Sequence, residues 1–119
     1  FTYVYDRDSN DRIFLFEVNS KVYPNGITID YIRVSYNKDP TTELDADLKR
    51  ADDIIGVANA AVIDAIDTTS GSFIEDTDAN INAGAVVAAG QDIYIEINAD
   101  PVDEDVLAHV TILFHAEAD

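Results

Sequence analysis

Two stretches alternate apolar and polar residues with period two. In "QDIYIEINA" (Gln91 to Ala99), Ile93, Ile95 and Ile97 fall on one side, with Tyr94, Glu96 and Asn98 on the other. In "VLAHVTILFHA" one side carries Ala108, Val110, Ile112 and Phe114, and the other His109, Thr111, Leu113 and His115. A helix cannot gather residues at that spacing onto one face, whereas a strand with one buried face does so directly. The remaining apolar blocks are short and punctuated by turn-forming residues. They are "FTYVY", "RIFLFEV", "ITIDYIRVSY", a segment around "ELDADLKRADD", "ANAAVIDAID", "SFIED" and "AGAVVAAG", with "YPNG", "NKDPTT", "TTSG" and "ADPVDED" between them. Val and Ile favour a strand in "ANAAVIDAID" although its alanines allow a helix. "ELDADLKRADD" reads as strand or irregular chain, with a helical turn as the alternative. About eight short strands at roughly ten-residue spacing predict an all-β fold, an antiparallel β-sandwich of jelly-roll or Greek-key type. Residues 1–119 form one domain, with 1–18 an N-terminal hairpin or assembly strand. "RIFLFEV" places Ile13, Leu15 and Glu17 on one face and Phe14, Phe16 and Val18 on the other, so both of its faces are expected to meet protein.

Charge is the next constraint. The 119 residues carry 18 Asp and 6 Glu against 7 Lys and Arg, a net charge of −17. Such a surface repels nucleic-acid backbones and anionic lipid, which argues against nucleic-acid partners. No run of about twenty apolar residues is present to insert in a membrane, and no signal peptide is visible. The chain contains no Met, so an initiator residue is expected to have been lost through processing or truncation. With no Cys there are neither disulfides nor thiolate metal sites. Self-repulsion of this size calls for salt, bound cations or a basic partner.

Catalytic chemistry finds little purchase. His109 and His115 lie six residues apart on one strand face, roughly 20 Å at a strand rise of about 3.3 Å, too far to share an ion. The serines sit in no nucleophile-elbow context, and no phosphate-binding glycine loop occurs. Any two of 24 acids could pair, so paired carboxylates carry no specificity. The chain reads as non-enzymatic.

No cofactor is implied with certainty; calcium, which takes hard oxygen ligands from clustered Asp, is the candidate. "DRDSNDRIFLFE" matches part of an EF-hand register, with Asp6, Asp8, Asn10, Ile13 and Glu17 at positions one, three, five, eight and twelve. Position six, normally glycine, is Asp11, and "FLFE" reads as strand, which would aim Glu17 away from the loop. The stretch therefore predicts an acidic hairpin loop that offers a cation Asp6, Asp8 and Asn10, without Glu17 as the closing ligand. Further acidic stretches are Glu43, Asp45 and Asp47; Glu75, Asp76 and Asp78; and Asp100, Asp103, Glu104 and Asp105.

"DADLKRADDIIGVANAAVIDAIDTTSG", followed by "GAVVAAGQDIYIEINADP" and "VTILF", resembles the small β-sandwich modules of tailed-phage virion proteins: fibre heads, receptor-binding tips and capsid decorations. The similarity spans roughly Ile27 to His115 and lies in strand-and-turn style. It implies a virion component exposed to the extracellular medium. It also implies a homo-oligomer, with a trimer favoured, whose partners are other virion proteins and a host-surface glycan. No site residues carry over, because such modules bind through variable loops. Two other readings stand beside it. One is an extracellular carbohydrate- or calcium-dependent adhesion module, suggested by tyrosine-bearing strands. The other is a surface-filament subunit in which "FTYVY" completes a neighbour's sheet.

Overall fold

The longest strand shows how the core is assembled. In "ITIDYIRVSY", Ile27, Ile29, Ile32, Val34 and Tyr36 are all buried, yet strict alternation would put the last three on the opposite face from the first two. The computed structural model resolves this with a bulge at Asp30, where the pairing register shifts between Ile29 and Tyr31. One extra residue changes parity and returns the apolar side chains to one face.

The structure describes residues 1–4, 12–36, 45–66, 73–77, 85–98 and 107–118. Among these, nine strands form: β1 (Thr2–Val4), β2 (Arg12–Glu17), β3 (Ile27–Tyr36), β4 (Ala46–Ala51), β5 (Ala61–Ala65), β6 (Phe73–Thr77), β7 (Val86–Val87), β8 (Asp92–Ile97) and β9 (Leu107–Ala116). They make two antiparallel sheets. Sheet A has the order β1-β9-β3-β6, with β7 also on β3; sheet B has the order β2-β8-β4-β5. This interleaving, with the chain passing from one sheet to the other between most successive strands, is the double Greek key of a jelly roll. The all-β sandwich expected from the sequence is what forms. "ELDADLKRADD" contributes β4 and "ANAAVIDAID" contributes β5, both as strands.

The predicted N-terminal hairpin does not form. β1 pairs with β9 in sheet A, whereas β2 pairs with β8 in sheet B. The chain therefore passes from sheet A to sheet B between Val4 and Arg12, and β1 closes the edge of its own chain's sheet. A polar run between two apolar blocks reads locally as a hairpin turn; which sheet each block joins is decided by distant partners.

Between the sheets lies one apolar layer. Ile27, Ile29, Ile32 and Val34 of β3, with Ala108 and Val110 of β9, face Leu48 of β4, Ile63 of β5, and Ile93, Ile95 and Ile97 of β8. Each such isoleucine or valine contributes about 1.5–3 kcal/mol by leaving water. The β8 and β9 faces are those that period two predicts.

β2 departs from expectation. A register shift between Phe14 and Phe16 marks Leu15 as a bulge. Ile13 and Phe16 both reach the core margin, while Phe14 stands 49% exposed on the outer face, so only one face of this strand is well covered. Phe16 stacks between Phe1 and Phe114, with ring centroids 5.4 and 5.9 Å apart, and Tyr23 meets Phe114 edge-on at 5.6 Å. This aromatic row joins sheet B to sheet A along the β2 side, each contact adding about 0.5–1.5 kcal/mol beyond burial.

Candidate functional site

The polar groups most tightly organised among the described residues lie on the outer face of sheet B. Pairing sets the rows: Arg12 opposite Glu96, Phe14 opposite Tyr94, and Glu17 opposite Asp92, with Asp47 and Lys49 of β4 on the far side of β8. Glu96 takes an ion pair from each side, Arg12 Nε at 3.4 Å and Lys49 Nζ at 3.3 Å.

Over this face folds the β4–β5 connection, residues 52–60. Arg12 Nη1 donates to the carbonyls of Ile54 and Ile55, both at 3.1 Å. The Ile54 N–H lies close enough to the Asp92 carboxylate to favour its ionised form. Asp53 Oδ1 accepts from the N–H groups of Ile55 (2.9 Å) and Gly56 (2.5 Å), an Asx turn. Asp52 accepts from Gln91 Nε2 at 3.1 Å and Asn59 Nδ2 at 2.7 Å. Val57 and Asn59 have positive φ, 47° and 56°. Asn tolerates that region, whereas a β-branched residue there is an outlier.

Tyr94 faces outward, as its place in the alternation predicts, but is 0% exposed. Its hydroxyl is buried and makes no hydrogen bond among the described residues. Burial, with Glu96 nearby, raises the phenol's pKa above its ordinary value, and Arg12 pulls the other way. Asp92 is also raised, first by burial and then by the charges of Glu17 and Asp53, with the Ile54 N–H opposing. Asp52 is lowered by its bonds from Asn59 and Gln91, with Arg50 adding to the effect and partial desolvation resisting it.

The residues singled out by sequence fare differently. Asp6, Asp8, Asn10 and Asp11 lie outside the described residues, as do Glu43, Asp78, Asp100, Asp103, Glu104 and Asp105. Glu17 ends β2 and lies opposite Asp92 on the outer face of sheet B. Asp45 and Asp47 are brought together by one amide: Asn98 Nδ2 donates to both, at 2.9 and 3.0 Å. Glu75 and Asp76 lie on β6 opposite Arg33 and Ile32. Among the described residues no group of three His, Cys, Asp or Glu side chains is placed to hold a metal ion. The histidines sit in separate settings. His109 bonds Thr2 Oγ1 at 3.1 Å and lines a cavity of about 220 Å³ with Thr2, Ser35, Tyr36, Leu107 and Ala108. His115 Nδ1 lies 2.7 Å from Asp30, with Glu117 at 3.8 Å from its other ring nitrogen.

Sequence reasoning passed over Arg12, Lys49, Tyr94, Asp92 and the 52–60 crossing. A partial signal was present: "DDIIGVAN" combines Asp52, Asp53, Gly56 and Asn59, residues that build Asx turns and left-handed positions. Nothing local states that the resulting loop lies down on the outer face of sheet B.

Comparison with protein-family models, with curated proteins and with solved structures finds no match for this chain.

Proposed function

We propose that this chain is a non-enzymatic structural or attachment module of a virus particle that works through assembly. The observation that carries this reading is the strand order, β1-β9-β3-β6 facing β2-β8-β4-β5. Jelly rolls of this type serve as capsid and lectin domains, so the argument is one of fold analogy. Side chains left in water add support: Phe14, Val22, Ile55, Val86 and Leu113 are each at least 49% exposed. Assembly would cover some of that surface.

The carbohydrate-adhesion reading draws less support. It relied on tyrosine rings to stack on sugars, but Tyr36 and Tyr94 are buried and Tyr23 packs edge-on against Phe114.

Sedimentation at micromolar concentration tests the assembly part: a discrete oligomer is expected, and a monomer at every concentration and salt would overturn it. Sequencing the genes on either side tests the setting. Capsid or tail genes are expected; a neighbourhood of metabolic enzymes would remove the virion reading.

A further inference from the structure

Residues 52–60 lie down on sheet B instead of looping away from it. Arg12 on β2 holds the carbonyls of Ile54 and Ile55, and Gln91, just before β8, holds Asp52 at the start of the segment. Along the β2–β8 ladder Gln91 and Arg12, which is opposite Glu96, lie on either side of Tyr94, so the segment between these anchors crosses the outer face of sheet B at the level of Tyr94.

The closed arrangement carries three internal costs. The Tyr94 hydroxyl is sealed from water with no hydrogen-bond partner among the described residues. Val57 holds a φ of 47°, in a region that β-branched residues avoid. The Asp92 carboxylate is held near those of Glu17 and Asp53. Lifting the segment relieves all three: the hydroxyl meets water, Val57 relaxes, and Asp53 moves away from Asp92. Opposing this are a few polar contacts, chiefly the exposed bonds from Arg12 to the Ile54 and Ile55 carbonyls and the part-buried bond from Gln91 to Asp52. The tip carries Ile55 at 87% exposure, and of the segment's residues only Ile54 and Val57 are partly buried.

We propose that residues 52–60 form a strap over Tyr94, clasped by Arg12, that opens as a unit while the sandwich stays folded. Opening uncovers the Tyr94 phenol and frees Arg12 from the Ile54 and Ile55 carbonyls, beside Lys49 and the already exposed Phe14. The groups facing Asp92 are Glu17 from β2 and Asp53 with the Ile54 N–H from the strap; Ala51, opposite on β4, brings no charge. The two strap groups act oppositely on ionised Asp92, Asp53 by repulsion and the Ile54 N–H by attraction. The proposal concerns the isolated chain and does not depend on the virion reading.

Nitration of the full 119-residue chain by tetranitromethane, mapped by peptide mass spectrometry, reads Tyr94 directly. Wild-type Tyr94 is expected to react slowly. In Arg12→Met, which removes the clasp, it should react at least tenfold faster while near-UV circular dichroism and the melting transition stay native. Glu96→Gln, which breaks the ion pair but leaves the Arg12–carbonyl bonds, should leave Tyr94 protected. Val57→Asn, which suits the left-handed backbone, should slow the reaction below wild type. Protection unchanged in Arg12→Met, exposure that appears only with global melting, or faster reaction in Val57→Asn would each overturn the strap.

Discussion

Glu17 on β2 lies directly opposite Asp92 on β8, and both carboxylates belong to the outer face of sheet B. Like charges at opposed positions of an antiparallel pair destabilise it. Asp92 answers by holding its proton more tightly in the folded state than in the unfolded chain. A raised carboxyl pKa means that folding is penalised where Asp92 is ionised, and that the penalty fades as pH falls through the folded value toward 3.8. Glu17→Gln is therefore expected to stabilise the protein at pH 7 by about 0.5 kcal/mol, or roughly 2 °C, with solvent screening keeping the effect small. Melting curves against pH check this: the gain should shrink on acidification as Asp92 takes up its proton, and also at high salt.

Tyr94→Phe removes the hydroxyl and keeps the ring. A buried donor without a partner costs about 1–3 kcal/mol, so its deletion is expected to be neutral or stabilising, by about 1 kcal/mol. Urea unfolding at constant m-value measures it. A clear loss of stability would show that the hydroxyl has a partner in solution, such as a bound water.

These two sites mark where sequence legibility ends. Ile93, Ile95 and Ile97, and Ala108, Val110 and Ile112, were readable because period two survives along β8 and along the first half of β9. The bulges at Leu15 and Asp30 were not, because neither residue type announces a bulge and the cause is pairing with distant strands. The pairing of β1 with β2 expected from the sequence failed for the same reason. The outward place of Tyr94 followed from alternation, but its burial did not, and a loop some forty residues away in sequence, tied down by Arg12, crosses the same face. Periodicity reports which face a side chain is on; it is silent on what later covers that face.

Gly26 and Gly90 both have positive φ, 82° and 89°, but their surroundings differ. A methyl group at Gly26 would overlap the Val87 carbonyl oxygen, whereas one at Gly90 meets nothing within 4 Å. Gly90→Ala should cost only the backbone penalty, about 1–2 kcal/mol. Gly26→Ala adds a steric clash with the backbone where β3 meets β7, and is expected to cost more than about 3 kcal/mol. Denaturation midpoints of the two variants give the comparison; equal losses would mean that the β3–β7 contact yields easily.

The net charge of −17 leads to a test that separates general screening from a bound ion. Exposed carboxylates repel over roughly 10 Å at 0.1 M salt, and added salt shortens that range. Raising NaCl is therefore expected to raise the melting temperature by several degrees. A specific site behaves differently, because it stabilises by RT ln(1 + [L]/Kd) and saturates at micromolar ligand. Among the described residues, Asn98 bridges Asp45 and Asp47, and no three His, Cys, Asp or Glu side chains are placed to hold a metal ion. At matched ionic strength, calcium and sodium should give the same melting temperature, and EDTA should change nothing. If micromolar calcium instead adds a step that Asp6→Asn and Asp8→Asn abolish, those residues and Asn10 form a true cation site, and the acidity of this chain serves a bound metal in addition to its solvation.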